Sequence, residues 1–120
     1  MPPPRFLLDE HIPHTVQSQL LRLDPGIDVL AVGQPLAPPK GISDQHLLKW
    51  VENTEYILVS SNRRTIPTCI KEHIETGGHL PGILLIKRSA RLGDIIEQLY
   101  LLWKASDANE YQDQVLYIPL

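Results

Sequence analysis

Four short polar clusters hold the residues of this 120-residue chain whose types and spacing suit chemistry. Asp9-Glu10-His11 follows the apolar run Phe6-Leu7-Leu8, and Ser60-Ser61-Asn62-Arg63-Arg64 follows Tyr56-Ile57-Leu58-Val59. Lys87-Arg88 follows Ile83 to Ile86, and Ser43-Asp44 opens a segment of helical period. Adjacent carboxylates at a strand end repel one another unless a cation or a basic group lies between them. Hard oxygen donors of this kind suit Mg²⁺ or Mn²⁺, which bind through a few carboxylates and keep part of their water. Such a metal acidifies a bound water, while basic residues beside it steady a phosphate. Arg63, Arg64, Lys87 and Arg88 are placed for that second task. The set points to metal-assisted hydrolysis of a phosphodiester. Each part also has a structural use: a strand-end Asp caps the next helix, the macrodipole favours Asp44 at a helix start, and exposed Arg and Lys form solvated rims.

The elements that must position these clusters alternate in type. Apolar runs of strand length are expected at Phe6 to Leu8, Asp28 to Val32, Tyr56 to Val59, Ile83 to Ile86 and Val115 to Ile118. Between them, Pro13 suits the first turn of a helix with Ile12, Val16, Leu20 and Leu23 on one face, stopped by Pro25-Gly26. Ser43 caps a helix that turns Leu47, Leu48 and Val51 inward, and Thr65 caps one with Ile66, Cys69, Ile70 and Ile74 on its apolar side. Leu92, Ile95, Ile96, Leu99, Leu102 and Trp103 share a stripe on the last helix. Residues 33–42, with three prolines and two glycines, form a loop. The order βαβαβαβαβ predicts a single α/β domain over residues 1–120, a mainly parallel five-stranded sheet between helices. Ligand sites of such sheets lie beyond the carboxyl ends of the strands, where the strand-end clusters belong.

Composition narrows the classes. One cysteine, Cys69, excludes an internal disulfide and a Cys-rich zinc site. No apolar run approaches the ~20 residues of a membrane span, and Met-Pro-Pro-Pro-Arg lacks a signal-peptide core, so a soluble cytoplasmic protein with no membrane partner is expected. The net charge is −3, but residues 60–91 carry six bases against two acids, and residues 92–120 carry five acids against one base. That basic stretch permits contact with nucleic acid. A phosphoacceptor receiver domain is excluded, because its chemistry needs Asp after strand three and Lys after strand five, where this chain has Asn62 and Ile118-Pro119. His11 is expected on the rim of the site and His14 and His46 exposed in first helical turns. His73 is expected to be hydrogen-bonded and partly buried, Cys69 to act as a small hydrophobe, and Trp103 to lie in the core. Trp50 stays open between core and surface. Should Leu101, Tyr100 or Trp50 be exposed, a two-fold homodimer is the natural explanation.

Phe6-Leu7-Leu8-Asp9-Glu10-His11-Ile12-Pro13 resembles the opening of short stand-alone PIN-like proteins related to VapC ribonuclease toxins, which start with a strand, Asp-Glu-Asn and a helix. Gly41-Ile42-Ser43-Asp44 is similar to their Gly-x-Ser/Ala-Asp segment, Leu58-Val59-Ser60-Ser61-Asn62 to a strand ending Leu-Thr-x-Asp, and Pro81-Gly82-Ile83-Leu84-Leu85 to their Pro-Gly-Val/Ile run. Gln114 to Leu120 is similar to the closing strand of one uncharacterised branch. The resemblance covers nearly the whole chain. It implies a PIN-like fold with strand order near 2-1-3-4 and strand five at the edge. It further implies three or four acids around Mg or Mn, with RNA as substrate and a small antitoxin as partner. Carried over, Asp9 is the first-strand acid, Asp44 the acid of the later helix and Glu10 part of the Asp-Glu pair; these three are the expected metal ligands. Asn62 occupies the position of the acid after strand three, and Arg64 and Thr65 follow where many relatives have another acid. With Asp9, Glu10, Asp44 and Asn62 as a catalytic set and Arg63, Arg64, Lys87 and Arg88 on RNA, the chain reads as a metal-dependent ribonuclease of the toxin type. The alternative is a catalytically impaired PIN-like module that binds RNA or a protein without cleavage, and the uncharged Asn62 is what favours it.

Overall fold

Residues 2–120 are described by a computed structural model. The elements are β1 (Phe6–Leu8), α1 (His14–Leu23), β2 (Val29–Ala31), α2 (Asp44–Thr54), β3 (Ile57–Ser60), α3 (Ile66–Glu75), β4 (Ile83–Ile86), α4 (Leu92–Ala105), a 3-10 turn (Ala108–Tyr111) and β5 (Val115–Ile118). All strand pairs are parallel, in the order β2-β1-β3-β4-β5. The α/β class, the single sheet and the strand order agree with expectation. Strands of a parallel sheet covered on both faces lose their hydrophobic alternation. That is why β1, β3 and β4 are buried at every residue.

Side chains still alternate by layer. Phe6, Leu8, Ile57, Val59, Leu84, Ile86 and Ile118 pack with Val16 and Leu20 of α1 and Ile95, Leu99 and Leu102 of α4. Leu7, Leu58, Ile83 and Leu85 point the other way, onto Leu47, Leu48 and Val51 of α2 and Ile66 and Ile70 of α3. Three expected core positions lie outside: Leu23, Ile74 and Leu92 are exposed, Leu92 because it is the first residue of α4. Leu23 and Ile74 each sit in the last turn of a ten-residue helix, about 15 Å long, over strands of three or four residues that cover about 10–13 Å, so the final turn overhangs the sheet. Trp103 is half-buried against the first layer and Trp50 against the second, where it lies 5.5 Å from the Tyr56 ring. His73 is mostly buried and hydrogen-bonded to Glu52.

The entries to β4 and β5 are clamped together at the amino edge of the sheet. The Asp113 N–H donates to the Leu80 carbonyl at 2.7 Å, and its Oδ1 accepts from the Leu80 N–H at 2.7 Å. Its Oδ2 lies 2.9 Å from His79 Nδ1, and this contact lowers the Asp113 carboxyl and raises the His79 imidazole from their ordinary pKa values. Gly82, at φ +143, threads beneath Tyr111 in the same corner. No helix among the described residues is long and apolar enough to cross a membrane.

Candidate functional site

Because β1 and β3 are parallel neighbours with Leu8 opposite Val59, Asp9 and Ser60 leave the sheet side by side. The Asp9 N–H donates to the Val59 carbonyl at 2.9 Å, extending the ladder one step past the strand. The fully buried Ser60 hydroxyl then donates to Asp9 Oδ2 at 2.8 Å, while Asp9 Oδ1 accepts from the Glu10 N–H at 2.7 Å. Ser60 Oγ also accepts from the Asn62 N–H at 3.0 Å.

Asn62 continues the chain of hydrogen bonds. Its Oδ1 accepts from the N–H groups of Arg64 and Thr65, both at 3.2 Å, which satisfies two donors at the entry to α3. Its Nδ2 donates to Thr65 Oγ1 at 2.8 Å, and the Thr65 hydroxyl donates to Asp44 Oδ2 at 2.9 Å. Thr65 was expected to cap α3 with its side chain; instead it makes no capping bond, and its hydroxyl serves Asp44. Ser43 does cap α2 as expected, accepting from the His46 N–H at 3.2 Å. Asp9, Ser60, Asn62, Thr65 and Asp44 thus form one relay across the carboxyl edge. Glu10 stands apart from it: Oε1 accepts from the Gly41 N–H at 3.2 Å and pins the 33–42 loop.

This donor set does not fit a magnesium or manganese centre of three carboxylates. Both acceptor directions of the Asn62 carbonyl oxygen are taken by backbone N–H groups, and Glu10 is turned to the loop. Among the described residues, no three of His, Cys, Asp and Glu stand together as a group able to hold a metal ion.

The bases gather better than the acids. His11, Ser61, Asn62, Arg63, Arg64 and Arg88 line a recess of about 470 Å³ beside the relay. Lys87 follows β4 as expected, but it does not line the recess; its N–H continues the ladder to the Ile118 carbonyl at 2.8 Å. Arg63 is oriented by donation from Nη1 to the Ile86 carbonyl at 3.0 Å, which leaves four guanidinium N–H groups free of that bond. None of Arg63, Arg64 or Arg88 forms an ion pair among the described residues. Ser60, placed at this edge by the sequence, and Thr65, assigned there to the α3 cap, are the participants whose part in the relay the sequence does not show. Parallel register supplies the signal for Ser60, since the residue after β1 must meet the residue that ends β3.

No family model, curated protein or solved structure matches the chain.

The relay makes Asn62→Asp a sensitive probe. A carboxylate there keeps the two backbone donors and gains from the α3 N-terminus, but it loses the amide donation to Thr65. The Thr65 hydroxyl has one proton, already directed at Asp44, so the new charge meets lone pairs and a like charge. A net loss of about 1 kcal/mol is expected, smaller in high salt, read as a melting temperature lower by about 4 °C. Recovery of that loss on adding Mn²⁺ shows that one substitution restores a metal-holding set. An unchanged melting temperature at all salt concentrations shows that position 62 is not coupled to Asp44.

Proposed function

We propose that this chain is an RNA-binding module that holds the phosphate backbone in its basic recess without cutting it, the second of the two readings of the PIN-like resemblance. The observation that carries the proposal is the contrast at one sheet edge. Arg63, Arg64 and Arg88 surround a recess with no acidic partner, whereas Asp9 and Asp44 are bound into a relay of neutral side chains. Arginine forks match phosphate oxygens bidentately, and the Ile86 carbonyl holds the Arg63 fork in advance. No Phe, Tyr or Trp lines the recess and the His11 imidazole is its one ring, so recognition rests on the phosphates more than on base stacking and sequence preference is weak. A small protein partner of the antitoxin kind is the rival ligand, and RNA is favoured because three arginines and no acidic residue line the recess.

The test is fluorescence anisotropy with a labelled, mixed-sequence single-stranded RNA between about 50 and 200 mM salt. Affinity is expected to fall with salt, by a slope of about −0.7 per phosphate neutralised. Arg63→Ala with Arg88→Ala should weaken binding by at least tenfold and flatten the slope by about 1.4. With Mn²⁺ present the RNA should stay intact. Absence of binding at low salt overturns the proposal. Cleavage that needs both Mn²⁺ and Asp9 replaces it with the metal-dependent ribonuclease reading.

A further inference from the structure

The two edges of the sheet are treated differently. In a parallel ladder, alternate residues turn both backbone polar groups to the same neighbour. On β2, Phe6 N–H donates to the Asp28 carbonyl and Val32 N–H to the Leu8 carbonyl, so Val29 and Ala31 face outward. Among the described residues three of those four outward groups are covered, the Ala31 carbonyl by the Gln34 N–H at 3.1 Å. Gln17 Nε2 donates to the Val29 carbonyl at 3.0 Å, Gln34 Oε1 accepts from the Ala31 N–H at 3.1 Å, and the two glutamines bond each other at 2.8 and 2.9 Å. A pair of side-chain amides thus stands where another strand would lie.

The β5 edge has no such cover. Ile83 N–H donates to the Gln114 carbonyl at 3.0 Å and Lys87 N–H to the Ile118 carbonyl at 2.8 Å. With the register Ile83–Val115 to Ile86–Ile118, residues 114, 116 and 118 face β4, and Val115 and Tyr117 face out. Among the described residues, no side chain hydrogen-bonds the backbone of either. Their side chains point to the α2–α3 layer, which does not reach β5, and they are 38% and 47% exposed. From Gln114 to Leu120 there is no charge, the usual protection of an edge strand. Leu120 is 74% exposed, and its N–H is held at 2.7 Å by Gln98, one turn from the 49% exposed Leu101, which widens the apolar strip.

We infer that β5 pairs antiparallel with β5 of a second copy of this chain, about a two-fold axis at Leu116. This register places Val115 opposite the partner's Tyr117 in both directions. Each such pair exchanges two N–H···O=C bonds, so all four outward polar groups of each strand are satisfied by the copy alone. On one face it sets a β-branched residue against an aromatic one twice, a favourable cross-strand pairing, and on the other it sets Leu116 against its own copy. Charge selects the direction. Asp107, Glu110 and Asp113 cluster at the amino end of β5, and Lys87 and Arg88 lie at its carboxyl end. Antiparallel pairing lays each acidic end beside the partner's basic end, whereas parallel pairing lays like on like.

Sedimentation of the full chain at tens of micromolar tests the pairing, with an expected species of twice 13.6 kDa. Val115→Lys with Tyr117→Lys sets two lysine pairs face to face and should give a monomer with an unchanged circular dichroism spectrum, since both side chains are exposed. A second measurement fixes the register. In a Cys69→Ser background, Leu116→Cys should cross-link to its copy on mild oxidation, because residues at the axis form a non-hydrogen-bonded pair with Cα atoms about 4.5 Å apart, inside the disulfide range. Val115→Cys, opposite Tyr117, should not. A monomeric wild type, a dimer indifferent to the two lysines, or equal cross-linking at 115 and 116 overturns the inference; in the first case the edge serves some other partner.

Discussion

Gly82→Ala should lose about 3 kcal/mol or more of stability and lower the melting temperature by ten degrees or so. Two costs coincide at this residue. Its φ of +143 lies in a region that a side chain rarely allows, and an added Cβ would stand 2.7 Å from Tyr111 Cβ and 3.0 Å from the Tyr111 carbonyl oxygen. Neither neighbour can swing away, because one is backbone and the other is the first side-chain carbon of a buried tyrosine. The 3-10 turn must shift, and with it the clamp between Leu80 and Asp113 that aligns β4 with β5. Gly77→Ala separates the two costs. Gly77 also has a positive φ, +91, but a Cβ there meets nothing within 4 Å, so only the backbone strain of about 1 kcal/mol is expected. Thermal melts of the two variants read the difference directly. Equal losses would show that the Tyr111 contact relaxes freely.

Ser60→Ala should cost about 2–3 kcal/mol although it removes a single oxygen. That hydroxyl is the centre of the relay, donating to Asp9 Oδ2 and accepting from the Asn62 N–H. Without it, a carboxylate oxygen and a backbone N–H lose their partners where Ser60 itself has no solvent exposure. A hydrogen bond to a charged group is worth more than a neutral one, and leaving the survivors unpaired costs more than the bond gains. A double-mutant cycle with Asp9→Ala isolates the contact. A coupling of about 1.5 kcal/mol or more is expected, since the second substitution removes the stranded charge. Additive losses would mean that water replaces the serine hydroxyl without penalty.

The strands were readable because a doubly covered parallel sheet writes itself as uninterrupted apolar runs, and Phe6 to Leu8 or Ile83 to Ile86 admit little else. Helix starts were readable where one side chain does the capping, as Ser43 does. They were misread where the expected cap turns to another element, as the Thr65 hydroxyl does to Asp44 on α2. The placement of Asp9 and Asn62 on one edge followed from strand ends, and that of Asp44 from a helix start. The direction of the Glu10 side chain did not, because it depends on where the proline-rich 33–42 loop presents the Gly41 N–H, thirty-one residues away. Local pattern cannot encode that. The same holds for Arg63, whose anchor is a carbonyl on β4, and for the two glutamines that cover β2, whose partners are distant in sequence or on a different element.

The antiparallel pairing inferred for β5 would set the valency of the assembly. Every strand of one sheet would run against every strand of its copy, so the carboxyl edges, and the arginine recesses on them, would open toward opposite ends of the dimer. With RNA as the proposed ligand, a short strand held at one end would not fold back onto the other. Two separate strands, or two distant stretches of one long strand, would be held at once, the second capture proceeding at the effective concentration set by the intervening RNA. Such an object would tether rather than enclose.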